Sequence, residues 1–358
     1  MNRPSHGGNL MWAASIADCP PSEIVDFSAS INPLGPPLTA IAALASHQGE
    51  IKTYPQPDYM DLRQALSRFH GDVPVEWILP GNGAAELLTW AGRELAQGSA
   101  TYLLTPAFGD YRRSLNAFNA RVIEFPISLE GGDNLQFDGL GELDDRAGLL
   151  LNTPHNPTGI LLRPELILPL LERFALVVVD EAFMDFLPPS AQTSLIPMVA
   201  DFPNLVIVRS LTKFYSLPGL RLGYAIAHPD RLNLWRQWRD PWSVNNLAVA
   251  AGIAVLGDRA FEEKTHHWLS INRPKLYQEL GNIAGLYPYP GVANFLLVRS
   301  QCSVTQLQTK LLTDYRILIR DCLSFPELGD NYFRVAVRTE AENQYLITAL
   351  KNILIIDN

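Results

Sequence analysis

The chain has 358 residues, of which 47% are hydrophobic and 18% charged, and its formal net charge at pH 7 is −9. This length and composition are typical of a folded protein of two domains, whereas the acidic balance argues against a nucleic-acid-binding surface, which would be basic. Three widely spaced cysteines favour a reducing compartment over a disulfide framework, and no metal-binding spacing is present. The sequence shows neither a secretion signal nor an apolar run of membrane-spanning length, so we expect a cytoplasmic protein without a metal site.

The first 50 residues contain prolines at positions 33, 36 and 37, which prevent a long helix. We expect this N-terminal segment, residues 1–50, to lie across the junction of two domains and to contact the small domain and the active site. Residues 51–248 are expected to form the large domain, and residues 249–358 the small one.

Four short apolar runs alternate with helical patterns through the middle of the chain, at 101–104, 149–152, 176–179 and 205–208. Such runs, separated by helices, predict a parallel sheet that helices cover on both faces. In these sheets ligands bind beyond the carboxyl ends of the strands. The polar residues at these ends, which we expect to converge on one site, are Thr105, Asn152, Asp180 and the segment 210–213.

The chain after residue 250 has a different pattern. A long helix is predicted over 246–279, strands over 294–298, 317–320 and 332–337, and a closing helix over 340–354. This mixed order indicates a smaller α+β domain. The predicted fold is therefore α/β, with a large domain whose mostly parallel sheet lies between helices and a smaller α+β domain.

A glycine-rich motif in the large domain suits a phosphate. Gly81-Asn-Gly83 comes directly before an amphipathic helix that begins at Ala84 and Ala85. The free N–H groups and the positive dipole end of a helix start attract phosphate. Taken alone, the same glycines also fit an ordinary turn.

Lys213 follows the apolar run 205–208 and has hydroxyls three and one residues before it, on Ser210 and Thr212. Burial at the end of a strand helps an amine to lose its proton and to form a Schiff base with an aldehyde. Arg221, eight residues later, adds a guanidinium that binds phosphate oxygens in a fork. A reactive lysine beside a phosphate site is what pyridoxal 5'-phosphate requires. Taken alone, however, the lysine also fits a solvated cation in a loop.

The segment from Ser210 to Tyr224 closely resembles the cofactor-lysine motif of the fold-type I pyridoxal-phosphate enzymes, the superfamily of the aminotransferases. The resemblance implies that Lys213 carries the cofactor and that Asp180, in Asp-Glu-Ala-Phe, pairs with its pyridine nitrogen. It also implies a phosphate cup formed by Gly83, Ala84, Ala85, Ser210, Thr212 and Arg221.

The resemblance extends to residues around the cofactor ring. Asn156, in Asn-Pro-Thr-Gly, corresponds to the asparagine that donates to the phenolate oxygen, and Phe108 corresponds to the aromatic residue that stacks on the ring. Phe183 stands where the family often has a tyrosine bonded to that oxygen, so this bond is absent here. Tyr54 matches a tyrosine that relatives lend to the neighbouring subunit's cofactor phosphate, which implies a homodimer.

Two arginines are expected to bind anionic groups of the substrate. Arg334 corresponds to the arginine that holds the substrate carboxylate, and Arg320 to a second anion-binding arginine of phosphate-handling relatives. Arg338 stands where histidinol-phosphate aminotransferases often have glycine, and it is either a surface ion pair or a further anion contact.

Three further segments, His6-Gly-Gly-Asn9, 25–37 and 240–246, are similar to the L-threonine-O-3-phosphate decarboxylases of this superfamily. That resemblance implies decarboxylation of a phosphorylated amino acid to 1-amino-2-propanol O-phosphate for cobalamin synthesis. The residues it places near the substrate are His6, Asn9, Ser28 and Asn32. The alternative is a histidinol-phosphate aminotransferase, which shares Asn-Pro-Leu-Gly and the cofactor core. A non-catalytic cofactor sensor fused to a DNA-binding domain is a third interpretation, although the first 50 residues show no helix-turn-helix pattern.

Overall fold

The computed structural model describes residues 3–127, 140 and 143–356, so the outermost residues of the expected segments 1–50 and 249–358 lie outside it. The α-helices in chain order are α1 (Leu10–Ala17), α2 (Leu38–Ser46), α3 (Met60–Phe69), α4 (Ala84–Leu95), α5 (Gly109–Asn116), α6 (Pro164–Leu171), α7 (Pro229–Trp238), α8 (Asn246–Val255), α9 (Arg259–Gly281), α10 (Val304–Tyr315) and α11 (Glu340–Ile356). Within these described residues, none of the helices combines the length and the apolar character needed to cross a lipid bilayer.

The strands in chain order are β1 (Val25–Asp26), β2 (Ile78–Asn82), β3 (Thr101–Thr105), β4 (Val122–Pro126), β5 (Gly148–Asn152), β6 (Leu176–Asp180), β7 (Leu205–Ser210), β8 (Leu222–Ala227), β9 (Leu286–Pro288), β10 (Phe295–Ser300), β11 (Ile317–Leu318), β12 (Arg320–Asp321) and β13 (Tyr332–Ala336). The four apolar runs of the middle region lie in β3, β5, β6 and β7.

The central sheet has seven strands in the order β2-β8-β7-β6-β5-β3-β4. Neighbouring strands from β7 to β4 run parallel, and β8 runs antiparallel to both β2 and β7. Successive residues of β6 enter different apolar clusters, Val177 and Val179 into one and Val178 into the other. Because side chains alternate along a strand, these clusters lie on opposite faces of the sheet. The predicted mostly parallel sheet, covered on both faces, is confirmed.

A smaller antiparallel sheet has the order β12-β13-β10-β9 and packs with α9 and α10. In the N-terminal segment, β1 pairs in parallel with β11 to form a separate two-stranded sheet, and Phe27 connects this sheet to β13. Phe27 N–H donates to the Leu318 carbonyl oxygen (2.8 Å), and Ala336 N–H donates to the Phe27 carbonyl oxygen (2.8 Å). Residues 28–32 then reach the loop after β7, where the Asn32 N–H donates to the Lys213 carbonyl oxygen (3.1 Å).

Two elements differ from the prediction. The single helix expected over 246–279 is divided into α8 and α9, because the chain turns at Gly257 and the Asp258 carboxylate caps α9 at the Phe261 N–H (3.0 Å). The strand expected over 317–320 is divided between β11 and β12, which belong to different sheets. Arg320 thereby becomes the register partner of Arg334 in β13.

A buried ion triad joins the loop after β6 to β7. Arg209 in β7 donates to Glu181 (2.7 Å) and to Asp185 (2.5 Å), and all three side chains are buried. Removal of one member of such a triad leaves the other charges uncompensated in the interior. The triad therefore ties the carboxyl end of β6 to that of β7.

Candidate active site

A cavity of about 230 Å³ lies at the carboxyl ends of β5 and β6. Residues of β12, β13 and the N-terminal segment complete its wall. The predicted site residues in the wall are His6, Ser28, Phe108, Asn156, Asp180, Phe183, Lys213, Arg320 and Arg334. These residues are far apart in the sequence. They meet at the carboxyl edge of the parallel sheet, which is where ligands bind in folds of this type.

The loop after β7 places Lys213 in the cavity wall. The buried Asn32 holds this loop. Its side-chain Nδ2 donates to the Phe214 carbonyl oxygen (2.9 Å), and its main-chain carbonyl oxygen accepts from Ser216 Oγ (2.6 Å). With the bond from the Asn32 N–H to the Lys213 carbonyl oxygen, three contacts fix the loop. Asn32, which was expected near the substrate, lies outside the cavity wall and supports the lysine loop.

The electrostatic surroundings of Lys213 suit a nucleophilic amine. Burial has the largest effect and lowers the pKa of Lys213, Asp180 acts in the opposite direction, and Arg221 and Arg334 lower it further. The Nζ atom lies 5.0 Å from the centre of the Phe183 ring. A lowered pKa increases the fraction of unprotonated amine, which is the form that attacks an aldehyde.

Asp180 ends β6 and accepts two hydrogen bonds from the protein. Tyr111 Oη donates to Oδ2 (2.9 Å), and the Ala182 N–H donates to Oδ1 (2.9 Å). Burial raises the pKa of Asp180, whereas Lys213 and the two hydrogen bonds lower it. Each carboxylate oxygen keeps a further lone pair, so Asp180 fits the predicted partner, a protonated ring nitrogen.

The predicted phosphate cup lies at the start of α4. Gly83 precedes this helix with φ of +76°, and a Cβ atom on it would lie 2.4 Å from Arg221 Nη2. Glycine therefore allows the guanidinium to approach the helix start. In the part of the chain that the structure describes, no hydrogen bond occupies the N–H groups of Ala84 and Ala85.

Ser210 and Thr212 lie beside this helix start. Their hydroxyls are 2.7 Å apart, and both residues are buried. Gly223 is the register partner of Ser210 and lies against Ala84, whose backbone nitrogen would be 2.6 Å from a Cβ atom on Gly223. Helix-start N–H groups, two hydroxyls and a guanidinium form the donor set of a phosphate site. Together with a reactive lysine and a buried carboxylate, this set fits pyridoxal 5'-phosphate.

Two buried arginines lie side by side in β12 and β13. Arg320 is the register partner of Arg334, which donates to Asn156 Oδ1 and to the Ser28 carbonyl oxygen (3.3 Å). The Arg334 Nε has no hydrogen-bond partner among the described residues. Burial, followed by the charge of Arg320, lowers the pKa of Arg334 to about 10. Two buried cations in one cavity indicate a ligand with anionic groups.

Residues 5–7 of the N-terminal segment form the cavity wall near Arg320. Arg320 Nη2 donates to the Ser5 carbonyl oxygen (2.5 Å), and the His6 ring centre lies 5.7 Å from that of Phe108. Gly7 packs closely, since a Cβ atom on it would lie 2.3 Å from the Ser28 carbonyl oxygen. These contacts place His6 in the cavity wall.

Two other residues that were expected near the substrate form hydrogen bonds within the protein. Ser28 Oγ donates to Asp26 Oδ1 (2.6 Å) and accepts from the Gly8 N–H (2.7 Å). Asn9 caps α1, because its Oδ1 accepts from the Trp12 N–H (3.0 Å). Both side chains therefore hold the N-terminal segment in place.

Among the cavity residues without a role in the sequence prediction are Ser30 and Tyr111. Ser30 Oγ is buried in the wall without a partner among the described residues, as is Oδ1 of Asn152, which was expected at this edge. Buried polar atoms are rarely left unpaired, so both are candidate ligand contacts. Ser30 belongs to the segment 25–37, and Tyr111 lies three residues after Phe108, but the sequence does not show which side chains near a predicted site residue face a cavity.

Tyr54 and Arg338 lie outside the cavity wall. Tyr54 is 79% exposed, and its ring centre lies 4.8 Å from that of the exposed Trp242. Arg338 donates to the Asp26 carbonyl oxygen (3.0 Å) and to Glu342 (2.6 Å). Of the two interpretations of Arg338, the structure matches the ion pair.

Comparison with known proteins identifies relatives over nearly the whole chain. Residues 22–350 match the model of the family described as aminotransferase class I and II. The threonine-phosphate decarboxylase of Salmonella typhimurium is 41% identical over 98% of this chain and 96% of its own. An adenosylcobalamin biosynthesis bifunctional protein of Leptospira interrogans is 31% identical over 99% of this chain, which spans 41% of that longer protein. The structure of the histidinol-phosphate aminotransferase from Clostridium acetobutylicum matches with a TM-score of 0.85 at 26% identity, over 92% of this chain and 99% of its own. These matches confirm the predicted fold class.

Proposed function

Because this chain belongs to the class I and II aminotransferase family, we propose that it is a pyridoxal-5'-phosphate-dependent carboxy-lyase that decarboxylates L-threonine O-3-phosphate. The product is (R)-1-amino-2-propanol O-phosphate, and the name of the Leptospira relative supports a place in cobalamin biosynthesis. The observation that carries the proposal is the pair of buried arginines, Arg320 and Arg334, in the cavity that also holds Lys213.

The paired arginines match a substrate with two anionic groups. L-Threonine O-3-phosphate has a carboxylate on Cα and a phosphate on the neighbouring carbon, so each arginine receives one anion. We assign the carboxylate to Arg334 and the phosphate to Arg320, near Ser5 and His6. Histidinol phosphate has a phosphate and no carboxylate, so it offers an anion to only one of the two arginines.

The remaining cavity residues hold and activate the cofactor. Pyridoxal 5'-phosphate, when bound, supplies an aldehyde that links to amines and a ring that takes up the electrons of a broken bond. Lys213 provides the amine for the cofactor, and Asp180 keeps the ring nitrogen protonated. Asn156 and Phe108 orient the ring, and the donor set at the start of α4 binds the phosphate.

The orientation of the substrate carboxylate selects the reaction. Arg334 fixes this group, and its direction decides between loss of CO2 and loss of the α-proton. After CO2 leaves, Lys213 Nζ returns a proton to Cα. Burial lowers the pKa of this amine, which makes release of the proton easier. The reaction consumes no keto acid.

We further infer a homodimer in which Tyr54 reaches the cofactor phosphate of the neighbouring subunit. The 79% exposure of Tyr54 beside the exposed Trp242 supports this arrangement. Other exposed apolar side chains lie on α2 and in the turn before Tyr54, two elements that pack against each other, namely Leu38, Ile41 and Ile51. Groups of exposed apolar side chains are typical of protein–protein contacts.

The proposal is tested by incubating the cofactor-loaded protein with L-threonine O-3-phosphate and no keto acid, followed by mass spectrometry. Repeated turnover to aminopropanol phosphate with release of CO2 is the expected result. Lys213→Ala should abolish turnover, and full activity of this variant would show that the site is wrongly assigned.

Histidinol-phosphate aminotransferase activity is the second candidate, because a structure of that name matches this chain with a TM-score of 0.85. That incubation, together with a second one that contains histidinol phosphate and 2-oxoglutarate, separates the two functions. If L-threonine O-3-phosphate is not consumed, while histidinol phosphate and 2-oxoglutarate yield glutamate, the aminotransferase assignment replaces the decarboxylase.

A further inference from the structure

Tyr111 lies in the first turn of α5, three residues after Phe108. Residues at this spacing share one side of a helix, and the two rings meet edge to face with their centres 5.6 Å apart. Both rings line the cavity, and Tyr111 is 2% exposed. The start of α5 therefore brings a buried phenol to the cavity beside the predicted ring-stacking residue.

The charges around Tyr111 fix the direction of its hydrogen bond. Burial raises the pKa of Tyr111, and the Asp180 carboxylate raises it further. The phenol therefore keeps its proton, and its O–H donates a hydrogen bond to Asp180 Oδ2 (2.9 Å). Two other titratable groups act on Asp180: Lys213 favours the carboxylate, and Asp110 on α5 favours the protonated acid.

The Asp180 carboxylate is held at both of its oxygens. Oδ1 accepts from the Ala182 N–H and Oδ2 from Tyr111. Rotation about the bond to the carboxylate would break one of these contacts, so the plane of the group is fixed. Each oxygen keeps a lone pair for a further donor, and of the two protein donors only the phenol comes from a side chain.

We propose that Tyr111 is a positioning residue that holds the Asp180 carboxylate in one orientation and in its ionised form. The inference rests on the proposed function, which places Asp180 against the cofactor's ring nitrogen. A donor to the charged form stabilises it, so without the phenol Asp180 competes more strongly for the proton of the ring nitrogen. A ring that loses this proton accepts electrons less well, and Tyr111 thus acts on the reaction through Asp180.

The test is a carboxyl NMR titration of the apoprotein labelled with ¹³C-aspartate. The Asp180 signal is identified by its loss in Asp180→Asn. In Tyr111→Phe, the loss of a hydrogen bond to a charged group is expected to raise the Asp180 pKa by about one to two pH units. Tyr215→Phe is the matched control, because Tyr215 is also buried and donates to a carboxylate, Glu262 (3.2 Å), outside this cavity.

An Asp180 pKa that is unchanged in Tyr111→Phe, or that rises equally in Tyr215→Phe, overturns the proposal. If Tyr111→Phe does not fold, 3-fluorotyrosine at position 111 is used instead, because it keeps the hydrogen bond with a stronger donor. This replacement is expected to lower the Asp180 pKa, and an unchanged Asp180 pKa would also overturn the proposal. In the loaded enzyme, Tyr111→Phe is expected to lower kcat about tenfold with KM unchanged, and a rise in KM alone contradicts the role. The apoprotein titration needs no turnover, so it tests the role of Tyr111 even if the proposed decarboxylation is wrong.

Discussion

Gly83→Ala isolates the contact between the start of α4 and Arg221. The added Cβ atom would lie 2.4 Å from Arg221 Nη2 and would displace the guanidinium from the predicted phosphate cup. The residue also has φ of +76°, which L-residues with a side chain rarely adopt. The substitution therefore has two separable effects, one on the backbone and one on the cofactor site.

The two effects have different physical causes, backbone strain and a lost hydrogen bond, and their magnitudes are estimated separately. Gly83 has φ of 76° and ψ of 164°, a conformation almost confined to glycine, and an alanine there costs about 1–3 kcal/mol, which should appear as a loss in the free energy of unfolding. The lost charge-assisted hydrogen bond to the phosphate is worth about 1.5–3 kcal/mol, which corresponds to roughly ten- to hundred-fold weaker cofactor binding. Gly71→Ala is the matched control, because Gly71 has φ of +70° but nothing within 4 Å of its Cβ position.

The assay combines urea unfolding of the apoproteins with a fluorescence titration of pyridoxal 5'-phosphate. Both variants should lose stability, whereas only Gly83→Ala should lose cofactor affinity. Wild-type affinity in Gly83→Ala, measured beside a destabilised Gly71→Ala, would refute the assignment of the phosphate cup.

Two further predictions concern buried charges. The pKa of Lys213 is lowered in the folded apoprotein, so the unfolded chain binds more protons, and the free energy of unfolding rises with pH between the folded-state pKa and 10.5. Lys213→Met should therefore be more stable than wild type in urea near pH 7 and lose this advantage near pH 11, and an advantage that does not change with pH contradicts the lowered pKa. Arg209→Met leaves Glu181 and Asp185 uncompensated and should lower the free energy of unfolding by about 3–5 kcal/mol, whereas Arg316→Met, at an exposed ion pair, should cost less than about 1 kcal/mol in the same assay. Equal losses in these two arginine variants would show that burial of the triad is unimportant.

The sequence predicted the parts of the site that local patterns determine. The apolar runs that became β5, β6 and β7 are buried at every position, so their sequence signal was strong. Asp180 and Lys213 lie just beyond such runs, which is why their place at the carboxyl edge followed from the chain alone. The split of 246–279 into two helices was missed, because Asp258 looks like an ordinary helical residue until its carboxylate is seen to cap α9.

Side-chain direction was the part that the sequence did not determine. The segment 28–32 was expected at the substrate, and it does reach the cavity, but Ser28 and Asn32 use their side chains to hold neighbouring segments. Ser30, between them, has the hydroxyl that lies in the wall without a partner among the described residues. The segment is too short and irregular for a periodic pattern to show which residues face inward.

The division of the site between two units has a consequence for its chemistry. The residues assigned to the cofactor, among them Asp180, Lys213 and the start of α4, belong to the large sheet and its loops, whereas Arg320, Arg334 and His6 come from the small sheet and the N-terminal segment. Substrate contacts can therefore change without a change in the cofactor site, which accounts for one fold that carries both decarboxylases and aminotransferases. We therefore propose that the reaction is decided where Arg334 meets the substrate carboxylate. Exchange of residues in the small unit, with Lys213 and Asp180 left intact, is the perturbation that should convert one activity into the other.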